Sequence, residues 1–379
     1  MSAGFPILSV LRDTRSLPTL SVKDWELLIR QARAANLLAF LYHVVVDNDL
    51  ENDIPVKAML HLESVHIIAL KQREAVMGEI EVLKSILNQV DAPLILLKGA
   101  AYIKADLRAS KGRLMSDIDI LVPQSLIGAA EKRLALNGWL GAQSDSYNQR
   151  YYRKWMHEIP PLTHVQRQTA LDVHHTILPP TAKFKPDPEK LLSDIREVNS
   201  SGVFTLSPID MVVHSATHLF HEGEFHNGLR DLVDMASLCA EFGDTEPLFW
   251  EQLVPRAKEL DLIRPLFYFL RYSQKLIHAQ IPNHCQQAVG SDTPSRLKLF
   301  LMDVLFTRAL LPEHESCKIR FSDLARWFLY VRSHYLKMPL YLLIPHLIRK
   351  AWMSKFGDSP KAEQREAHTA DDIHRAPQA

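Results

Sequence analysis

Cysteine is scarce. Only Cys239, Cys285 and Cys317 occur in 379 residues, far apart and without a CxxC pair, which excludes a disulfide framework and a zinc ribbon and suits a reducing cytoplasm. Net charge is also absent. Lysine plus arginine number 44 and aspartate plus glutamate 44, a balance that argues against strong general binding to nucleic-acid backbone while leaving a local basic groove open. The opening MSAGFPILSVLRD has no basic stretch leading into a long apolar run, so no signal peptide is expected. The most apolar piece, Met338 to Ile348, carries Pro345 and is followed by Arg349 and Lys350. It is too short to span a bilayer and reads as a core helix, with peripheral docking as the alternative. From about Gly357 the chain is polar, with almost no bulky apolar residues, and is expected to be disordered. No internal repeat is present.

Chemistry concentrates between Leu94 and Pro123, LILLKGAAYIKADLRASKGRLMSDIDILVP. This stretch predicts a buried strand at Leu94 to Leu97, a turn at Lys98-Gly99, a short helix, a basic loop and a second strand at Asp117 to Val122. Strand side chains alternate, so Asp117 and Asp119 share one face and Ile118 and Ile120 the other. Two carboxylates about 4 Å apart repel by roughly 4 kcal/mol at an effective dielectric near 20. A divalent cation removes that repulsion, and Mg²⁺ favours a few carboxylates together with phosphate oxygens, with two ions able to clamp an in-line displacement. The bland alternative makes Asp117 a strand cap and Asp119 a solvated edge residue. Gly99 permits a close approach to a ligand, the helix start favours an anion, and Lys98, Arg113 and Ser116 supply two cations and a hydroxyl.

Helical spacing extends from Ser21 to about Val46 and from about Pro55, at a first-turn position, to Val90. In the second helix Ile67, Leu70, Val76, Ile80, Leu83, Ile86 and Leu87 mark an expected buried stripe. The pair is expected to brace the catalytic strand, or else to form a separate partner-binding hairpin. A helix over Ser125 to Asn137 ends at Gly138. Tyr147, Tyr151, Tyr152 and Trp155 suit sheet packing, with stacking on a nucleobase as the alternative. In TALDVHHTI, Thr169 to Ile177, Asp172 and His174 share a strand face. Prolines 179, 180, 186 and 188 mark a linker, and a short strand is expected at Val203 to Leu206. Ser207-Pro208 opens a helix bearing His214, His218 and His221 on one face. Ser215 stands where a zinc protease would have glutamate, so polar packing is the reading there. His174, His214 and His218 as ligands of a hydrolytic metal are the competing possibility, and zinc ligation by His174 or His175 is another, though no thiolate or HExxH-like partner accompanies them. Further helices are expected over Leu248 to Leu260, Ile263 to Ala279, Ser295 to Leu311 and Ser322 to Trp352.

The run LLKGAAYIKADLR…GRLMSDIDILVP resembles the uncharacterised nucleotidyltransferase family of bacteria, within the DNA polymerase beta nucleotidyltransferase superfamily. Its Lys-Gly turn and Arg-x-x-Ser-Asp-Ile-Asp are also similar to abortive-infection, toxin-type members. Lys98-Gly99-Ala100 stands where many members have Gly-Ser, and the gap from Gly99 to Asp117 is long for the superfamily. The resemblance implies an α+β fold: a polymerase-beta-like core of a small mixed sheet with flanking helices, plus N-terminal helices and a C-terminal helical domain. The corresponding divisions are bracing helices at 1–83, core at 84–206, helical domain at 207–355 and tail at 356–379. It implies an ATP-class NTP as co-substrate, two Mg²⁺ ions, Asp117, Asp119 and Asp172 as metal ligands and catalytic groups, and Lys98, Gly99, Arg113 and Ser116 as nucleotide contacts. The acceptor is a hydroxyl on a small molecule, sugar, protein or tRNA. A noncatalytic binding module on the same scaffold is the alternative.

Overall fold

A computed structural model describes residues 4–141, 156–221, 223–290 and 293–339. Tyr147, Tyr151, Tyr152 and Trp155, the segment from residue 340 and the polar tail lie outside the described residues.

Helix α1 (Pro6–Arg12) leads to α2 (Val22–Ala34). The second helix opens on a capping box in which the Ser21 hydroxyl accepts from the Asp24 N–H at 3.2 Å and the Asp24 carboxylate accepts from the Ser21 N–H at 3.3 Å. The single helix expected to reach Val46 is broken: Asn36 adopts φ +54°, and α3 runs Leu38–Val46. Asparagine tolerates the left-handed region better than most residues, and Asn36 Nδ2 donates to Asn227 Oδ1 at 2.7 Å. Helix α4 (Val56–Asn88) is a 33-residue rod whose N-cap is Pro55, one position earlier than the expected first-turn role. Its buried stripe runs through Ala58, Leu62 and Ala69 and so passes beside two of the expected residues. Val76, Ile80, Leu83, Ile86 and Leu87 are buried, while Ile67 and Leu70 are about half exposed, because at about 100° per residue they fall on other sides of the helix than Leu62, Ala69 and Val76.

Strands β1 (Leu94–Leu96), β2 (Asp117–Leu121), β3 (Trp139–Gly141), β4 (Leu162–His164), β5 (Ala170–His174), β6 (Arg196–Glu197) and β7 (Val203–Thr205) form a mixed sheet in the order β3-β4-β5-β2-β1-β7-β6. The chain is therefore α+β, as expected. β2 lies antiparallel to β1 and parallel to β5, and β7 closes the other side of β1 in parallel. β1 is buried at every position, as a central strand covered on both faces must be. Helices α5 (Lys98–Lys104) and α6 (Ile127–Leu136) join α4 against the sheet.

Helix α4 also sets the loops around β2. Gln72 accepts from the Met115 N–H at 2.7 Å and donates to the Met115 carbonyl, and Arg73 donates to Ser110 Oγ at 3.0 Å and Asp106 Oδ1 at 2.7 Å. Buried Glu79 holds the β4–β5 turn, accepting from Arg167 and from Thr169 Oγ1 at 3.0 Å.

The remainder is helical: α7 (Pro188–Leu192), α8 (Pro208–His221), α9 (Gly228–Thr245), α10 (Phe249–Glu259), α11 (Ile263–Ile277), α12 (Asn283–Ala288), α13 (Arg296–Ala309) and α14 (Ser322–Lys337). Ser207 Oγ accepts from the Asp210 N–H at 3.4 Å, the cap expected of a Ser-Pro start. Phe220, Tyr268, Tyr272 and Phe306 interlock with ring centroids 5.1 to 5.9 Å apart at the core of this layer. Residues up to Lys337 form one compact unit. Among the described residues no helix is long and apolar enough to cross a membrane.

Candidate active site

Parallel pairing of β2 with β5 sets Asp119 opposite Asp172, Asp117 opposite Ala170 and Leu121 opposite His174. Since facing residues on neighbouring strands project to the same side, two acids distant in sequence become neighbours. Ligand-capable atoms of Asp119, Asp172 and His174 lie within 4.8 Å of one another, as do those of His157, Glu158 and His174. Asp117 belongs to neither group but lines the same cavity. Its Oδ1 accepts from Ser116 Oγ at 3.0 Å.

Asp119 is buried, and its Oδ1 meets Lys98 Nζ at 2.8 Å and His174 Nε2 at 3.0 Å. Burial by itself would raise its pKa. Lys98 and the His174 hydrogen bond overcome that and hold the carboxyl well below the usual range. Asp172 behaves oppositely: burial and the like charges of Asp119, Glu158 and Asp117 push it up to about 7. His174 bridges two acids, with Nδ1 3.4 Å from Glu158 Oε2. Burial opposes its protonation, but the Asp119 hydrogen bond and the Glu158 charge raise its pKa overall.

Lys98 is aimed by an unusual backbone. It follows β1 after one intervening residue, Leu97, and has φ +46°, a left-handed conformation rare for a side chain of this kind and often found where function constrains a turn. A Cβ on Gly99 would run into the Met115 and Arg113 side chains, so the turn packs closely under the loop before β2.

Arg113 reaches the cavity from that loop but faces α9, in contact with Asp234 and 3.9 Å from Asp231. Arg230 stands beside it, donating to Asp231 Oδ1 at 2.7 Å. Burial, then the Arg230 charge, bring the Arg113 pKa down to about 10. In this arrangement both expected phosphate cations face carboxylates.

The cavity has a volume of about 450 Å³ and takes in Lys98, Gly99, Arg113, Ser116, Asp117, Asp119 and Asp172 together, within the range of small-ligand sites. His218 lines it as well, whereas His175, His214 and His221 are not among its lining residues. His214 is buried, and desolvation together with Lys98 holds its pKa well below the ordinary value. His221 packs edge-on to Phe184, ring centroids 5.9 Å apart. Among the described residues, neither His214 nor His218 joins His174 in a group with metal-ligand spacing.

One acquisition, His157 with Glu158, has no signal in the sequence, and for a second, Arg230 with Asp231 and Asp234, the signal is its place after the histidine helix, a run that the resemblance also marks. His157 and Glu158 reach the site because their backbone runs beside β5, with His175 N donating to the His157 carbonyl at 2.9 Å and Ile159 N to the Val173 carbonyl at 3.1 Å. Arg230, Asp231 and Asp234 follow the histidine helix in sequence, but only the packing of α9 turns them toward Arg113.

The donors fit a hard divalent cation. Carboxylate oxygens gather where Asp172 is already strained by neighbouring negative charge, a condition such an ion relieves. No curated protein and no solved structure matches the chain. A family model described as an uncharacterised nucleotidyltransferase matches residues 21–278, from the α2 cap through the sheet and the helices facing the cavity, and the chain belongs to that family.

Proposed function

We propose that this nucleotidyltransferase moves a nucleoside monophosphate from an NTP to a hydroxyl of an acceptor and releases pyrophosphate, with Mg²⁺ held by Asp117, Asp119 and Asp172. The observation carrying this reading is the register that sets Asp119 against Asp172 and brings their ligand-capable atoms within 4.8 Å. When bound, Mg²⁺ would supply charge neutralisation at the phosphate oxygens. The acceptor oxygen forms a new bond to the α-phosphorus, the bond from that phosphorus to the α–β bridging oxygen breaks, and pyrophosphate leaves. Asp172 takes the acceptor proton. Lys98 and Arg113 offset triphosphate charge, Gly99 lets the chain approach the phosphates, and Ser116 orients Asp117. Positioning and charge stabilisation carry most chemistry of this type.

The test is incubation of the protein with labelled NTPs and Mg²⁺ in the presence of small-molecule, sugar, protein and RNA acceptors, comparing wild type with Asp119→Asn. Label should appear on an acceptor only with wild type. Equal labelling by both proteins overturns the assignment. In parallel, Mg²⁺ with NTP at about a hundred times its dissociation constant should stabilise wild type by about 2.7 kcal/mol. Asp119→Asn should lose most of that gain.

A further inference from the structure

The two final described helices expose apolar surface on the side turned away from the body. In α14, Leu324, Trp327, Phe328 and Val331 follow helical spacing and are 44 to 55 % exposed, whereas Ala325, Leu329 and Ser333 on the other side are buried. In α13, Leu297, Phe300 and Leu301 are 51 to 78 % exposed, while Leu305, Phe306 and Ala309 face inward. The helices pack side by side. At one end Arg308 Nε donates to the Arg320 carbonyl at 3.1 Å, and at the other the Lys298 charge reaches Tyr335. Exposed apolar stripes on neighbouring helices are uncommon on a surface meant for water alone.

Charge indicates the occupant. From Arg296 to Lys337 the sequence holds eight lysines and arginines against four acids, a net +4 that leaves −4 on the rest of a chain whose total is zero. Each of these acids has a basic neighbour: Glu313 lies 3.5 Å from Arg326 and Glu315 3.0 Å from Lys318. Asp303 is paired by Arg271 at 2.6 Å and Lys275 at 3.3 Å, and Asp323 lies 3.8 Å from Arg326. Arg296 and Lys298, on either side of Leu297, are exposed, as is Arg320 next to exposed Phe321. Self-association across a two-fold axis would set this positive patch against its own copy.

We infer that the α13–α14 face docks on an anionic lipid surface, with its Trp, Phe and Leu side chains entering the headgroup boundary and its basic residues meeting lipid phosphate. Nothing in this reading depends on the chemistry proposed above.

Flotation of the full chain with vesicles of phosphatidylcholine alone, and of phosphatidylcholine mixed with phosphatidylglycerol, tests it. Binding to the mixed vesicles should exceed binding to the neutral ones by at least about tenfold and weaken as salt rises. Trp327→Ser with Phe328→Ser, and separately Arg296→Glu with Lys298→Glu, should each reduce binding about tenfold with unchanged thermal unfolding. The control Ile67→Ser with Ile68→Ser, on exposed α4 positions, should bind like wild type. Absence of binding to anionic vesicles, equal binding to both vesicle types, or equal loss in the α4 control overturns the inference. So does a dimer, seen by sedimentation, that Trp327→Ser with Phe328→Ser dissociates while vesicle binding is missing.

Discussion

Gly112 shows how one residue positions the loop that feeds β2. Its φ is +67°, and a Cβ there would overlap the Ala39 carbonyl and the Phe40 backbone nitrogen, where α3 begins. Gly112→Ala therefore combines about 1–2 kcal/mol of left-handed backbone strain with roughly 1–3 kcal/mol of overpacking against an immovable main chain. Urea unfolding should show that loss. A wild-type midpoint would mean the close approach is not there in solution. Lys98 sits in the same backbone region without glycine's freedom, and its geometry is sustained by the contact with Asp119.

At the scale of elements, α8 carries a pH response of known sign. His214 lies within the field of Lys98, His218, His174 and Asp119, and burial first, then Lys98, keeps it neutral well below its ordinary pKa. Below about pH 6.5 the unfolded chain takes up a proton that the folded helix refuses, so stability falls by about 1.4 kcal/mol per pH unit until the folded value is reached. His214→Gln should remove that slope between pH 6.5 and 5 in urea titrations. Identical slopes would show that the imidazole is not held neutral. His174 has the opposite sign: its raised pKa contributes stability that is full below about pH 6.5 and is lost as pH rises through the folded value. On α4, helical spacing located a real face, but Ile67 and Leu70 are uncovered because they point away from the stripe that Ala58, Leu62, Ala69, Val76 and Ile80 bury.

Across the whole molecule, buried Asp210 ties three helices. Arg256 donates to both of its oxygens at 2.9 and 2.8 Å and to the Lys190 carbonyl at 2.7 Å, joining α7, α8 and α10. Arg256→Met would strand that carboxylate, at about 3–5 kcal/mol. Asp210→Asn combined with Arg256→Met should recover part of the loss, since no buried charge is then left unpaired. A double variant no more stable than Arg256→Met would count against an unpaired charge as the cause.

By itself the sequence determined the local facts: Asp117 and Asp119 share a face because strand side chains alternate, the chain turns at Lys98-Gly99, and Ser207-Pro208 starts a helix. Each depends on residues adjacent along the chain. Tertiary structure alone decided that Asp172 lies opposite Asp119, that Glu158 reaches His174, and that Arg113 meets Asp231 and Asp234. Register between separated strands, and the rotation of a packed helix, are set by backbone pairing and burial across the whole unit, and no local periodicity encodes them.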